Sequence, residues 1–112
     1  MTNTTSPKHL DYIFEALASK HRREIVHMVS LQPYAISALA KQRKLSLPAI
    51  YKHIKILEKA DLVIRRKTGH TNFLSLNRSS LTALQQWVLQ YNAYWGSNAE
   101  TLENYTDYLD KK

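Results

Sequence analysis

The sequence predicts a mainly α-helical domain with one small β-hairpin, an α+β arrangement of about five helices and a two-stranded wing. Three observations predict it. Apolar residues recur at three- and four-residue steps along most of the chain. After Asp61 the period becomes extended, on both sides of a glycine-containing turn. The 112 residues suffice for a single core but not for a second, so residues 1–112 are read as one domain.

The first helix follows from Ser6-Pro7, because a serine oxygen accepts amides left unpaired at a helix start and proline suits the first helical position. Residues 1–8 are expected to form a flexible arm, MTNTTS being too polar to pack. Within residues 9–18, Leu10, Ile13, Phe14 and Leu17 make one apolar stripe. Ser19 caps a second helix with Ile25, Met28 and Val29 inward, and Pro33 ends it for want of an amide. Ser37 opens a short third helix that carries Leu39 and Ala40 and stops around Lys44. Ser46 caps a fourth, with Pro48 in its first turn and Ile50, Ile54 and Leu57 as its buried stripe. Its opposite face carries Leu47, Tyr51, Lys52, Lys55 and Lys59. Two short helices joined by a tight turn, the second apolar on one side and basic on the other, make residues 35–60 a helix-turn-helix.

Val63 to Lys67 and Asn72 to Leu76 flank Thr68-Gly69-His70-Thr71, a hairpin signal with glycine where positive φ is needed, so residues 62–77 form a wing. Leu74 and Leu76 face one side, Phe73 and Ser75 the other. Arg65, Arg66 and Lys67 line this hairpin and His70 stands at its tip. The last helical segment, residues 79–109, begins near Ser79-Ser80 and carries Leu81, Leu84, Val88, Tyr91 and Trp95, widened by Trp87 and Tyr94. Gly96-Ser97 either breaks it, Ser97 and Glu100 then capping a further helix with Leu102, Tyr105 and Leu109, or is tolerated inside one long helix. The long helix is preferred, glycine costing only about 1 kcal/mol relative to alanine.

Net charge is +7, and its distribution is uneven. Residues 20–78 hold thirteen Lys or Arg against Glu24, Glu58 and Asp61, while the flanks hold three cations and six acids. A concentrated positive middle suits a polyanion; the bland alternative is a solvated basic surface. The absence of cysteine excludes a disulfide scaffold, thiolate ligands and a cysteine nucleophile. With only Gly69 and Gly96 there is no phosphate-cradling loop, and no catalytic triad assembles, so an enzyme is not expected. No apolar run approaches the roughly 20 residues that span a bilayer and no signal-peptide pattern opens the chain, which places it in the cytoplasm and off the membrane.

The segments ALASKHRREIV and LSLPAIYKHIKILEKADLVIRRKTGHTNFLSLN resemble the ArsR-like family of winged helix-turn-helix repressors over roughly residues 10 to 109. That family carries an arginine where Arg22 stands, and serine, histidine and leucine where Ser46, His53 and Leu57 stand. The tail WVLQYNAYWGSNAETLENYTDYL is similar to the aromatic last helix of a subgroup in which it packs in the dimer interface. The resemblance implies that the Ser46 to Ala60 helix enters the major groove of double-stranded DNA, with Leu47, Pro48, Tyr51 and Lys52 nearest the bases. Ser46, Lys55, Arg65, Arg66, Lys67 and His70 complete the implied DNA-binding set. A homodimer would join through Leu10, Ile13, Phe14, Leu17, Leu84, Trp87, Val88, Tyr91, Tyr94, Trp95, Leu102 and Tyr105. Leu47 and Tyr51 replace a common Gln and Ser, shifting readout toward thymine methyls and a phenol hydroxyl. Asp61 replaces a glycine, which is tolerable because Asp visits left-handed backbone. His70 replaces a common arginine, which weakens minor-groove contact.

Metal-sensing relatives carry cysteines in the third helix or histidines in the last; ISALAKQRK has neither group and the tail has no histidine, so no metal, cofactor or effector is assigned. His53 is read either as a packing residue or as a phosphate or base contact, and Arg22 either as a bridge between helices or as a phosphate contact. Two rival functions are a winged-helix protein-interaction module and an effector-responsive sensor with a small-molecule site in the dimer interface.

Overall fold

A computed structural model describes the backbone of residues 7–95 and 98–110, and the side chains of Lys8 to Tyr91 and Leu102 to Asp110. Along the chain run α1 (Pro7–Leu17), α2 (Lys20–Leu31), β1 (Tyr34–Ala35), α3 (Ile36–Arg43), α4 (Leu47–Lys59), β2 (Val63–Thr68), β3 (Thr71–Leu76), α5 (Arg78–Trp95) and α6 (Asn98–Asp110). Every element up to the start of α5 contributes to one core. Ile13 and Ala16 of α1, Ile25 and Val29 of α2, Ile36 and Leu39 of α3, and Ile50, Ile54 and Leu57 of α4 meet Leu62, Leu74 and Ala83. Among the described residues no helix is long and apolar enough to cross a membrane.

The mainly helical class with a wing holds, with one addition: the sheet has three antiparallel strands in the order β1-β3-β2. Tyr34 pairs with Leu74 and Ala35 with Phe73, so the stretch between Pro33 and α3 is a short edge strand that closes the wing's root. Helix α3 accordingly starts at Ile36 behind Ala35, and Ser37 lies inside it instead of capping it. In the hairpin, Thr68 pairs with Thr71 and leaves the two-residue turn Gly69-His70, one residue tighter on each side than the alternation implied. Gly69 has φ +64°, the left-handed conformation a two-residue hairpin demands at its first central position.

Both helices of the helix-turn-helix end alike. Leu45 N donates to Ala40 O and Lys44 N to Lys41 O at 2.9 and 3.2 Å; Leu62 N donates to Leu57 O and Asp61 N to Glu58 O at 3.0 and 2.9 Å. This pair of bonds reverses the chain through one left-handed residue, Lys44 in the first case and Asp61 in the second, each at φ 57°.

Two expectations change, and a third falls outside the described residues. Pro7 and Lys8 belong to α1 and not to a flexible arm, while the Ser6 cap lies outside the described residues. Ile13 is fully buried in the protomer's own core and is therefore unavailable to a second subunit; Leu10, Leu17 and Leu84 are also partly buried against that core. Whether the last helix runs through Gly96, and whether Ser97 caps α6, lies outside the described residues, since α5 ends at Trp95 and α6 begins at Asn98.

Candidate nucleic-acid interface

Helix α4 is built to expose one face rigidly. Ser46 Oγ accepts the Ala49 amide at 3.2 Å and Pro48 sits in the first turn, so its start is fixed. Ile50, Ile54 and Leu57, all fully buried, hold it from below. Opposite them Pro48, Lys52 and Lys55 are exposed and Leu47 keeps 50% of its surface in water. Lys59, on the same side, turns its ammonium over the Tyr12 ring of α1 at 4.6 Å. Ser46 is exposed too, and its hydroxyl oxygen accepts the cap bond, which leaves its O–H as a donor.

Tyr51 is half-buried at the edge of that face, beneath the wing. Arg65 of β2 places its guanidinium 5.3 Å from the centre of the Tyr51 ring. The same group makes two hydrogen bonds to Glu58, Nη2 to Oε1 at 2.8 Å and Nε to Oε2 at 3.1 Å. The hydrogen bond to Glu58 raises the arginine's pKa still further, so its charge is permanent. All three of Arg65, Arg66 and Lys67 are exposed, but Arg65 is engaged within the protomer by Glu58 and Tyr51. Strand alternation also separates the three. Arg65 lies opposite Leu74 and shares its face, and Arg66 opposite Phe73 points to the other side. Leu47 and Tyr51 of α4, Ser37 of α3, and His70, Thr71 and Asn72 of the wing line a cleft of about 190 Å³, which brings the wing tip beside the start of α4.

Arg22 and His53 join α1, α2 and α4. Arg22 donates from Nε to Ala16 O at 2.8 Å and from Nη2 to Glu15 O at 3.1 Å, and Arg23 donates to Leu17 O at 2.8 Å. Together they satisfy the carbonyls that the end of α1 leaves unpaired. Arg22 Nη1 also meets His53 Nδ1 at 3.2 Å, which ties α4 to that junction. An arginine has no acceptor, so His53 Nδ1 must be unprotonated there. Burial, then the charge of Arg22, then His21 lower the His53 pKa below its ordinary 6.5. His21 repeats the arrangement, its Nδ1 facing Arg43 Nη2 at 3.2 Å and its ring 5.5 Å from that of His53.

The wing is locked to α4 at its base. The Asp61 carbonyl accepts Asn77 Nδ2 at 2.8 Å and Ser80 Oγ at 2.6 Å, and Asn77 N donates to Leu62 O at 2.8 Å. One cluster of polar bonds therefore fixes the exit of α4, the exit of β3 and the start of α5.

On the other side of the molecule, Phe14 meets Trp87 edge to face at 5.1 Å and Trp87 meets Tyr91 likewise at 5.2 Å, an aromatic row along α1 and α5. Phe14, Val88, Leu89, Tyr91, Leu102 and Tyr105 are left exposed, Leu102 to 70%. Tyr94 and Trp95 end α5, and their side chains lie outside the described residues. The sequence reading counted Glu58 only as a charge and Ser80 only as a helix start, and gave no role to Leu89 or Asn77. Glu58 follows Tyr51 by seven residues, two helical turns, which puts both on one flank of α4 and was a usable signal; the others depend on folded distances.

A family model described as a helix-turn-helix domain matches residues 17–66. The chain is 30% identical over 102 residues to the HTH-type transcriptional regulator Rv2034 of Mycobacterium tuberculosis, an alignment that covers 91% of this chain and 90% of that protein. It resembles the crystal structure of an ArsR family transcriptional regulator, RHA00566, with a TM-score of 0.75 and 31% identity, over 88% of this chain and 99% of that one. It also shares its fold with a homodimeric winged helix-turn-helix DNA-binding domain, Mb0332 of Mycobacterium bovis. There the TM-score is 0.64 and the identity 15%, over 88% of this chain and 94% of that one.

Proposed function

The chain belongs to the ArsR-like family of winged helix-turn-helix transcriptional regulators, and from that premise we propose that it acts in the cytoplasm as a homodimeric repressor that binds an inverted-repeat operator. It carries out no reaction of its own. The observation that carries this reading is the exposed Leu47, Pro48, Lys52 and Lys55 face of α4, flanked by the wing and backed by three fully buried side chains. An outward helix of this kind fits a major groove, where lysines meet phosphates and Leu47 meets thymine methyls. Arg66, Lys67 and His70 extend the contact along the backbone. Bound over a promoter, the protein would exclude polymerase.

The homodimer is supported by the exposed aromatic row. Phe14, Val88 and Tyr91 stand exposed around the half-buried Trp87, and Leu102 and Tyr105 of α6 add exposed apolar surface, the kind of clustering that marks an interface. The homodimeric state of the fold's Mycobacterium bovis neighbour agrees with that reading. Twofold symmetry would set two α4 helices about 34 Å apart, one turn of duplex.

The test is recovery of bound genomic fragments, followed by a salt titration on the recovered site. The expected result is an inverted repeat, with Lys55→Ala lowering the salt slope by about one on every sequence. Recovery of fragments with no symmetric element would refute the operator geometry. Tyr91→Glu should turn the dimer into a monomer in sedimentation, and a dimer that persists would place the interface elsewhere.

A further inference from the structure

Glu58 and Arg65 lie outside the outward face of α4, yet they enclose the one aromatic side chain at its edge. Tyr51 and Glu58 are two helical turns apart on the same flank of α4, and Arg65 reaches between them from β2. Its backbone is anchored there by pairing opposite the fully buried Leu74. Glu58 takes two of the five guanidinium N–H groups in a fork, at 2.8 and 3.1 Å, which fixes the plane of the group. The guanidinium carbon lies over the Tyr51 ring, 5.3 Å from its centre and within the range of attraction between a cation and an aromatic face. The side chains of Arg65 and Glu58 keep 36% and 32% of their surface exposed, so the fork lies within reach of water and of an approaching phosphate.

We propose that Glu58 and Arg65 set the sequence selectivity of α4: Glu58 holds Arg65 over Tyr51, which orients the phenol toward one base position and keeps the Arg65 charge off the DNA backbone. This rests on the reading of α4 as the groove-binding helix. A free Arg65 would add sequence-blind attraction and release the ring at once, so both effects of losing Glu58 lower discrimination. Arg65 and Glu58 are positioning residues here, and Tyr51 is the group that meets the base.

The experiment compares the wild-type protein with Glu58→Gln and Arg65→Lys on two duplexes, the site selected by the wild type and a scrambled one, across a salt series. Glu58→Gln should lower the ratio of specific to non-specific affinity roughly threefold to tenfold. It should also steepen the salt slope on the scrambled duplex by about one, because one more cation reaches a phosphate. Arg65→Lys keeps the charge but not the planar fork, so it should lose selectivity with the slope unchanged. In a randomised-duplex selection both variants should relax one base pair per half-site, the same pair that Tyr51→Phe relaxes. Equal weakening on both duplexes, with the selected sequence unchanged, is what a simple structural staple would give and overturns the assignment. A wild type that binds neither duplex at low salt overturns the groove reading itself. A selective wild type with equally selective variants overturns only the role of Glu58 and Arg65.

Discussion

Two arginines hold α4, one from each side of its buried stripe, and they use different chemistry. Arg22 comes from α2 and is shared among two backbone carbonyls and the neutral Nδ1 of His53, with no carboxylate in the set. Arg65 comes from the wing and meets the carboxylate of Glu58 and the face of Tyr51. The first tether closes the end of α1 and belongs to the scaffold; the second borders the face of α4 proposed to meet DNA. The scaffold side therefore depends on hydrogen bonds to groups that cannot all be replaced by water, and on a proton staying away from one nitrogen. The wing side depends on a half-exposed ion pair, which dissolved ions can screen. The contrast suits a helix that must be immobile at its root and adjustable at its face.

Arg22→Ala should show the largest effect. It removes three hydrogen bonds of a charged donor and leaves the Glu15 and Ala16 carbonyls and His53 to find other partners. The expected loss of stability is about 2 kcal/mol, read from the midpoint of urea unfolding at constant slope. A loss near zero would mean that Arg23 alone suffices to close α1, and the two tethers would then be equal in weight.

The pH response separates the two sides further. Burial first, then Arg22 and His21, depress the His53 pKa below 6.5 in the folded chain. The unfolded chain consequently takes up a proton near pH 6.5 that the folded chain resists. The contribution of the neutral ring is fully present above that pH and is lost as pH falls from there toward the folded value. Melting temperature should fall between pH 7.5 and 5.5 and fall less in His53→Gln, which keeps a hydrogen-bond acceptor and cannot titrate. The same slope in both proteins would remove His53 as the source, leaving the Arg22 tether insensitive to protons.

How much of this was legible depends on how local each signal is. The Ser19 and Ser46 caps, the Ile50, Ile54 and Leu57 stripe and the left-handed Asp61 are set within one or two turns of chain, and all could be read from neighbours in sequence. Strand β1 could not, since two residues after a proline become a strand only by pairing with β3. Ser37 looked like a cap because its type fits one, yet the edge strand moves the helix start to Ile36 and leaves the serine inside. Ile13 shows the limit of periodicity: a stripe says that a face is buried, not whether its own domain or a partner buries it. On α1 the stripe turns inward at Ile13, and only Phe14 faces outward among its larger members, 41% exposed. The split of Arg66 from Arg65 and Lys67 follows from strand alternation, but the partnership of Arg65 with Glu58 and Tyr51 needs the distance from strand to helix, which no local pattern carries.

The smallest expected effect is on the stability of the wing side. Arg65→Ala removes a pair whose members keep about a third of their surface in water, at 36% and 32%. Pairs so exposed contribute roughly 0.2–1 kcal/mol, and a cation over an exposed ring adds about 0.5 kcal/mol. A double-mutant cycle of Glu58→Ala and Arg65→Ala should accordingly give a coupling of about 0.5 kcal/mol at low salt. At 1 M salt the Debye length shortens to about 3 Å, and that coupling should shrink by half or more. The corresponding cycle of Arg22→Ala and His53→Ala draws on a neutral acceptor and should keep its value as salt rises. If instead the Glu58 and Arg65 coupling persisted undiminished in 1 M salt, the wing would be fixed to α4 as firmly as the scaffold is. The difference between the two tethers would then be one of position alone.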